Sequence, residues 1–404
     1  MGEPHAIVVG GYVNGLGFVR ALAARDVRIS VVTTKPYDIA HRSRWASSHD
    51  AVPDIDDHPE RLVELLERRA PEWMGAAVFP TNDGALAALA EHHERLSSAY
   101  RIIAPPKEIA RNFLDKERMG EVARAVGLDV PRCYGPANEA TAARTDLVFP
   151  VLVKPNSGHR FFSRFGCKLF SASDRDELVS AVAILAAAGL EGRIVDFVPG
   201  ADDSIFAYCT YIDARGEPRG GVTVRKLRQS PPFFGVARVA EIARHDERLR
   251  EATLAMVRRT GFRGIATAEF KLDPRDGCHR FIEMNARSIV YNSLLRKVGL
   301  DTAGLAWSEH VTGRAEPTVA NDWRGVWIHL HADLLYSLFY RRHEPIPLGE
   351  FWAPYRRPRV FAVWSATDPR PFVSQWSRTA WNGVSALARG TGHELFKDRA
   401  HPTT

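Results

Sequence analysis

Short apolar runs open the chain. Residues 6–9, 27–33 and 76–79 are each long enough for a buried strand and too short for a helix, and the pair 102–103 reads as a further short strand. Between them, 62–68 and 85–90 carry the spacing of amphipathic helices. Strands alternating with helices predict a parallel, doubly wound sheet, in which ligands gather beyond the carboxyl ends of the strands. Two such ends stand out, Gly10-Gly11-Tyr12 and Pro80-Thr81-Asn82-Asp83, with Asp83 expected to cap a helix.

After residue 113 the pattern changes. A helix opens at Asp115 and stops at Gly127, and an apolar strand over 149–155 closes on Lys154-Pro155. An apolar helix runs from Asp174 to about Ala188, and strands over 205–212 and 221–227 meet across a turn at 213–216. A helix over 251–260 precedes two more strands, joined by Asp273-Pro274-Arg275-Asp276-Gly277. In the first of these, Ala268, Phe270 and Leu272 point one way, and Thr267, Glu269 and Lys271 the other. A turn centred on Asp276 sets Glu269 opposite Glu283. Opposed residues have Cβ atoms about 5 Å apart, where like charges repel. Two readings stay open: a solvated acidic edge, or two carboxylates and the Asn285 carbonyl gathered around a hard cation.

An acid on one strand, followed by Glu283-x-Asn285-x-Arg287 ending the next, resembles the metal-binding hairpin of the ATP-grasp superfamily. The resemblance spans roughly residues 112–299, close to half the chain. It implies an α/β protein of the ATP-grasp type: a doubly wound pre-ATP-grasp domain over 1–112, then two α+β subdomains over 113–200 and 201–320 that clamp ATP. An aromatic-rich extension over 321–404 matches nothing in the family. By the same resemblance, Glu269, Glu283 and Asn285 hold Mg²⁺ or Mn²⁺ on the nucleotide phosphates. Lys116, Lys154 and Lys168 reach those phosphates. Asp196, Phe197 and Val198 form the hinge beside adenine, and Asp203 holds the ribose. Lys226 and Arg228, on one face of their strand, meet the γ-phosphate and an anionic substrate, and Arg287 faces the reacting group. The family's glycine-rich phosphate loop is expected over 156–166. Only Gly158 and Gly166 survive there, among phenylalanines and the arginines Arg160 and Arg164.

The implied activity is an ATP-dependent carboxylate–amine ligase that forms an amide through an acyl phosphate and releases ADP and phosphate. Its partners would be small-molecule carboxylates and amines, amino acids first, and a carbamoyl-phosphate type of carboligase is the alternative. A nicotinamide-dependent oxidoreductase is disfavoured. Tyr12 breaks G-x-G-x-x-G, and the second strand ends in Thr33-Thr34-Lys35-Pro36 without a ribose-binding acid. A net charge of +6 invites nucleic acid, yet the arginines are scattered without a basic block. ATP suits that balance as well. Four cysteines, all far apart, predict reduced thiols and not a zinc site. No apolar stretch approaches the ~20 residues of a membrane span, and a cytoplasmic protein is expected. Six of the nine tryptophans fall in the extension, a candidate pocket wall or homodimer contact.

Overall fold

The computed structural model describes residues 3–53, 55–230, 234–319, 321–339 and 346–388. Its strands form three sheets. The first is parallel throughout, in the order Ser48–Ala51, Arg28–Thr33, His5–Val9, Ala77–Pro80, Arg101–Ile102. Alternation divides its central strand between two cores. Ala6 and Val8 pack with Leu16, Val19 and Phe79, while Ile7 and Val9 pack with Leu62, Leu66 and Val78 on the other side. The α/β architecture expected from the periodicity is the one observed. The first glycines serve close packing: a Cβ on Gly15 would lie 2.0 Å from the Gly10 carbonyl oxygen, and one on Gly17 1.9 Å from Asn292 Oδ1. Gly17 lets the helix Val13–Leu22 press against the segment around Asn292, whose amide donates to the Asn14 carbonyl at 2.8 Å.

The second sheet is antiparallel, in the order Cys133–Pro136, Gly192–Asp196, Val151–Pro155, Phe170–Ala172. The helix Arg175–Ala187 covers it with Leu178, Ala181, Val182 and Leu185, and Asp174 caps that helix by accepting from the Glu177 amide. The segment expected as a phosphate loop is instead the helix Gly158–Phe165, ended by Gly166 at φ 73°. Phe161 and Phe165, spaced i and i+4, meet each other at 4.8 Å between ring centroids and Phe170 at 4.8 and 5.1 Å. Their burial holds the backbone helical. Arg160 bonds Asp57 at 3.1 Å.

The third sheet runs Cys278–Asn285, Gly264–Asp273, Ile205–Ile212, Pro218–Ser230, Val236–Ile242, Val326–Ile328, Arg359–Phe361. All its pairs are antiparallel except the last. The aromatic-rich segment therefore supplies two strands of the central sheet, with Trp327 fully buried and donating to Ser293 Oγ at 3.1 Å. The helix Glu247–Thr260 covers one face through Leu249, Leu254 and Val257, packed on Ala268, Phe270 and Met284. Glu269 and Lys226 lie on the opposite face. Among the described residues, no helix is long and apolar enough to cross a membrane.

Candidate active site

The hairpin Gly264–Asp273/Cys278–Asn285 brings its acids together by a route the periodicity did not contain. Near the tip Asp273 pairs with Cys278 and Phe270 with Phe281, so the turn centres between Arg275 and Asp276. Continued unbroken, that register would set Glu269 opposite Ile282 and turn Glu283 to the other face. Ile282 is instead an extra residue, a β-bulge, and beyond it Glu269 pairs with Glu283, Ala268 with Met284 and Thr267 with Asn285. The expected pairing holds, and the bulge is its cause.

The positive charge that two facing acids demand comes first from the chain itself. Lys226 Nζ meets Glu269 Oε2 at 2.7 Å, both nearly buried. The strand between them carries only Ala207 at the level of Glu269, which leaves the ammonium room to cross. Burial pushes the Glu283 carboxyl up, but Lys226, Lys168 and the Asn285 amide outweigh it and hold it below the usual carboxylate range. Asn285 Nδ2 donates to Glu283 Oε1 at 3.2 Å, which leaves its carbonyl oxygen for another partner. Two facing carboxylates and an amide oxygen form an all-oxygen donor set, and these residues fit a hard divalent cation.

Three more lysines converge from the second sheet and its flanks. Lys154 ends the strand Val151–Pro155, where burial and the nearby Lys116 lower its affinity for a proton and Glu283 restores part of it. Lys168 is lowered by burial and by Lys226, against the pull of Glu283 and Glu269. Lys116 opens the helix Lys116–Ala125, capped by Asp115 as expected, and donates to the Pro155 carbonyl at 3.1 Å. Four ammonium groups and two carboxylates share one cleft. Such crowding of like charge is unfavourable unless a polyanion offsets it.

The residues expected as a hinge stand at the end of the strand Gly192–Asp196. The Asp196 carboxylate accepts from Tyr134 Oη at 2.6 Å and from the Arg132 amide at 3.2 Å, so its side chain braces the strand edge. Asp203, expected on a ribose, accepts from Arg225 Nη2 at 2.7 Å. Val198 is buried. Beside Phe197 stands a residue that the sequence reading left without a role. Lys271 is 4% exposed, and its Nζ lies 5.2 Å from the Phe197 ring centroid and 6.0 Å from that of Phe234. Burial lowers it to about 8, opposed by Asp202 and Asp273 and reinforced by Lys154. A desolvated cation–π contact returns ~2 kcal/mol, against several kcal/mol for burying an ion. The rings alone do not balance it.

Two more residues differ from expectation. Arg228 does not join the cleft. A register shift on either side of it turns the guanidinium to Asp333 at 2.8 Å and to the carbonyls of Glu350 and Phe351 at 2.9 and 2.8 Å. Asp83 does not cap its helix, because Asn82 does, accepting from the Ala85 amide at 2.8 Å. Asp83 instead grips Arg287 through two bonds of 2.6 and 2.8 Å, joining the first sheet to the end of the hairpin.

Comparison with known proteins agrees with this geometry. Residues 240–305, which include the hairpin, match the family model "Carbamoyl-phosphate synthase L chain, ATP binding domain". The chain is similar to a D-aspartate ligase of Enterococcus faecium, 21% identical over 277 residues, or 65% of this chain and 66% of that protein. It is also similar to the carbamoyl phosphate synthase large chain of Thermus thermophilus, 26% identical over 294 residues, or 68% of this chain but 27% of that one. The chain thus spans just under two thirds of the first relative and about a quarter of the second. Among solved structures, the L-amino acid ligase from Bacillus licheniformis superposes with a TM-score of 0.60 at 19% identity, covering 78% of each chain.

Proposed function

We propose that this chain is an ATP-grasp protein, a reading supported by its match to an ATP-binding domain and by its fold, and that it is an ADP-forming carboxylate–amine ligase acting on amino-acid-like substrates. The observation that carries this is the pairing of Glu269 with Glu283, with Lys226 bonded to Glu269 from across the neighbouring strand and three more lysines around them. The task it suits is electrostatic: a carboxylate must approach a polyphosphate, and both are anions.

In this reading Lys116, Lys154 and Lys168 bind the phosphates, and Lys226 exchanges Glu269 for a γ-phosphate oxygen. Glu269, Glu283 and Asn285 would hold Mg²⁺ or Mn²⁺, which supplies charge against the bridging phosphate oxygens. A substrate carboxylate oxygen forms a bond to the γ-phosphorus as the bond to the β,γ-bridging oxygen breaks, and ADP leaves. The amine then attacks the acyl carbon, a C–N bond forms, phosphate leaves with the C–O electron pair, and the nitrogen gives up a proton. Arg287 trades Asp83 for the anionic acyl phosphate and the tetrahedral oxyanion. Similarity to a D-aspartate ligase and an L-amino acid ligase supports amino acids as substrates. The match to the carbamoyl-phosphate synthase model supports a second reading, in which a one-carbon acid is phosphorylated.

The test is turnover with Mg²⁺, ATP, pooled carboxylates and hydroxylamine. Carboxylate-dependent ADP and phosphate with hydroxamate is the expected result. Formation of AMP and pyrophosphate overturns the acyl-phosphate reading, and bicarbonate as the sole active acid selects the second.

A further inference from the structure

Lys271 lies two residues from Glu269 on the same face of the strand Gly264–Asp273, roughly 7 Å further along the sheet. Its ammonium is buried, and among the described residues it makes no hydrogen bond or ion pair: the faces of Phe197 and Phe234 wall it, and Asp202 and Asp273 act on it without bonding it. Those rings stand edge to face at 6.2 Å, and Phe197 is one of the residues expected as the hinge. The four cleft lysines cluster around the acids, whereas Lys271 sits on the hinge side with Lys154 as its cationic neighbour. A cation walled by aromatic faces, with donors unspent, is built for a flat ligand that carries acceptors on its rim.

We propose that Lys271 reads the nucleobase: its ammonium donates to a ring nitrogen of a bound purine nucleotide whose base lies against Phe197. This rests on the nucleotide-binding reading above and assigns to the site a base-recognising residue absent from the phosphate set. The ligand it selects is a purine nucleoside triphosphate, in preference to a bare polyphosphate.

The experiment is calorimetric titration of the full chain and of Lys271→Met with two probes, each with Mg²⁺: ATP and inorganic tripolyphosphate. Methionine keeps the length and apolar character of the stem, and circular dichroism checks folding. A charge-assisted hydrogen bond lost from the base weakens ATP roughly 10- to 100-fold, while tripolyphosphate binding changes less than about twofold. Equal weakening of both probes makes Lys271 a phosphate ligand and overturns the proposal, and so does no weakening of either. A wild-type chain that binds no ATP overturns the nucleotide reading itself, a result distinct from the other two. Should Lys271→Met fail to fold, the wild-type chain is titrated with 1-deaza-ATP, 3-deaza-ATP and 7-deaza-ATP. Undiminished affinity for all three overturns the proposal, and a tenfold loss for one supports it and names the nitrogen.

Discussion

Lys226 and Arg228 stand two residues apart on one strand, both basic and both almost buried, yet they belong to different kinds of site. Arg228 spends its guanidinium on Asp333 and two backbone carbonyls, and its planar group lies 4.9 Å from the Phe351 ring centroid. Asp333 is held in turn by Tyr355 at 2.6 Å and by Arg238 at 3.3 Å. Among the described residues Lys226 has one bond, to Glu269, in a cleft with other charges close by. A saturated cation fixes structure, because moving it strands several partners. A cation with one carboxylate and donors to spare can exchange that carboxylate for a ligand. The difference between a strut and a reactive group lies here in how many partners are filled, not in burial or charge.

That contrast can be broken in several ways. The largest effect is expected from Glu283→Gln, which removes the second acid but keeps its shape: turnover should fall ~10³-fold or more with an unchanged circular dichroism spectrum. Activity near wild type would end the metal assignment. Lys226→Leu should lower kcat ~10²-fold and leave Glu269 facing Glu283 uncompensated. Adding Glu269→Leu to it should restore most of the lost stability, since a buried pair replaced by apolar residues is often neutral, without restoring turnover. Arg228→Leu should do the reverse, lowering unfolding free energy by about 3 kcal/mol in urea titration while kcat of the folded protein stays within a few-fold. A kcat loss as large as that of Lys226→Leu would erase the distinction.

The smallest effect concerns acid. Burial, with His331 adding to it, brings His329 down to about 3, and its backbone joins Arg238 to the helix that carries Asp333. The unfolded chain binds this proton near 6.5 and the folded one does not. This contribution is therefore complete above pH 6.5 and is lost as the pH falls, by about 2 kcal/mol at pH 5. Urea midpoints at pH 7 and 5 should differ less in His329→Phe than in wild type.

Much of this site was legible because it is local. The acids, Asn285 and Arg287 lie on one hairpin, and Lys154 ends an apolar strand, so alternation and turn residues place them. Lys226 and Arg228 looked equivalent because alternation treats them alike, and what separates them arrives from Asp333, Glu350 and Phe351, more than a hundred residues away. The same holds for Asp83, whose partner Arg287 is 204 residues on, and for Asp203, claimed by Arg225. The helix Gly158–Phe165 is a different kind of miss. Its signal, Phe161 and Phe165 one turn apart, was present, and the expectation of a glycine loop overrode it.

The bulge at Ile282 constrains how the protein can vary in length. Residues added at 274–277 extend the tip beyond the last pair, Asp273 with Cys278, and leave every pairing behind them intact. Between Cys278 and Glu283 there is no such freedom: inserting or deleting a single residue rotates the acid to the face covered by the helix Glu247–Thr260, and only a change of two brings it back. Indels in this hairpin should therefore accumulate at its tip, and a descendant that lost Ile282 alone would keep the fold with its two acids on opposite sides of the sheet.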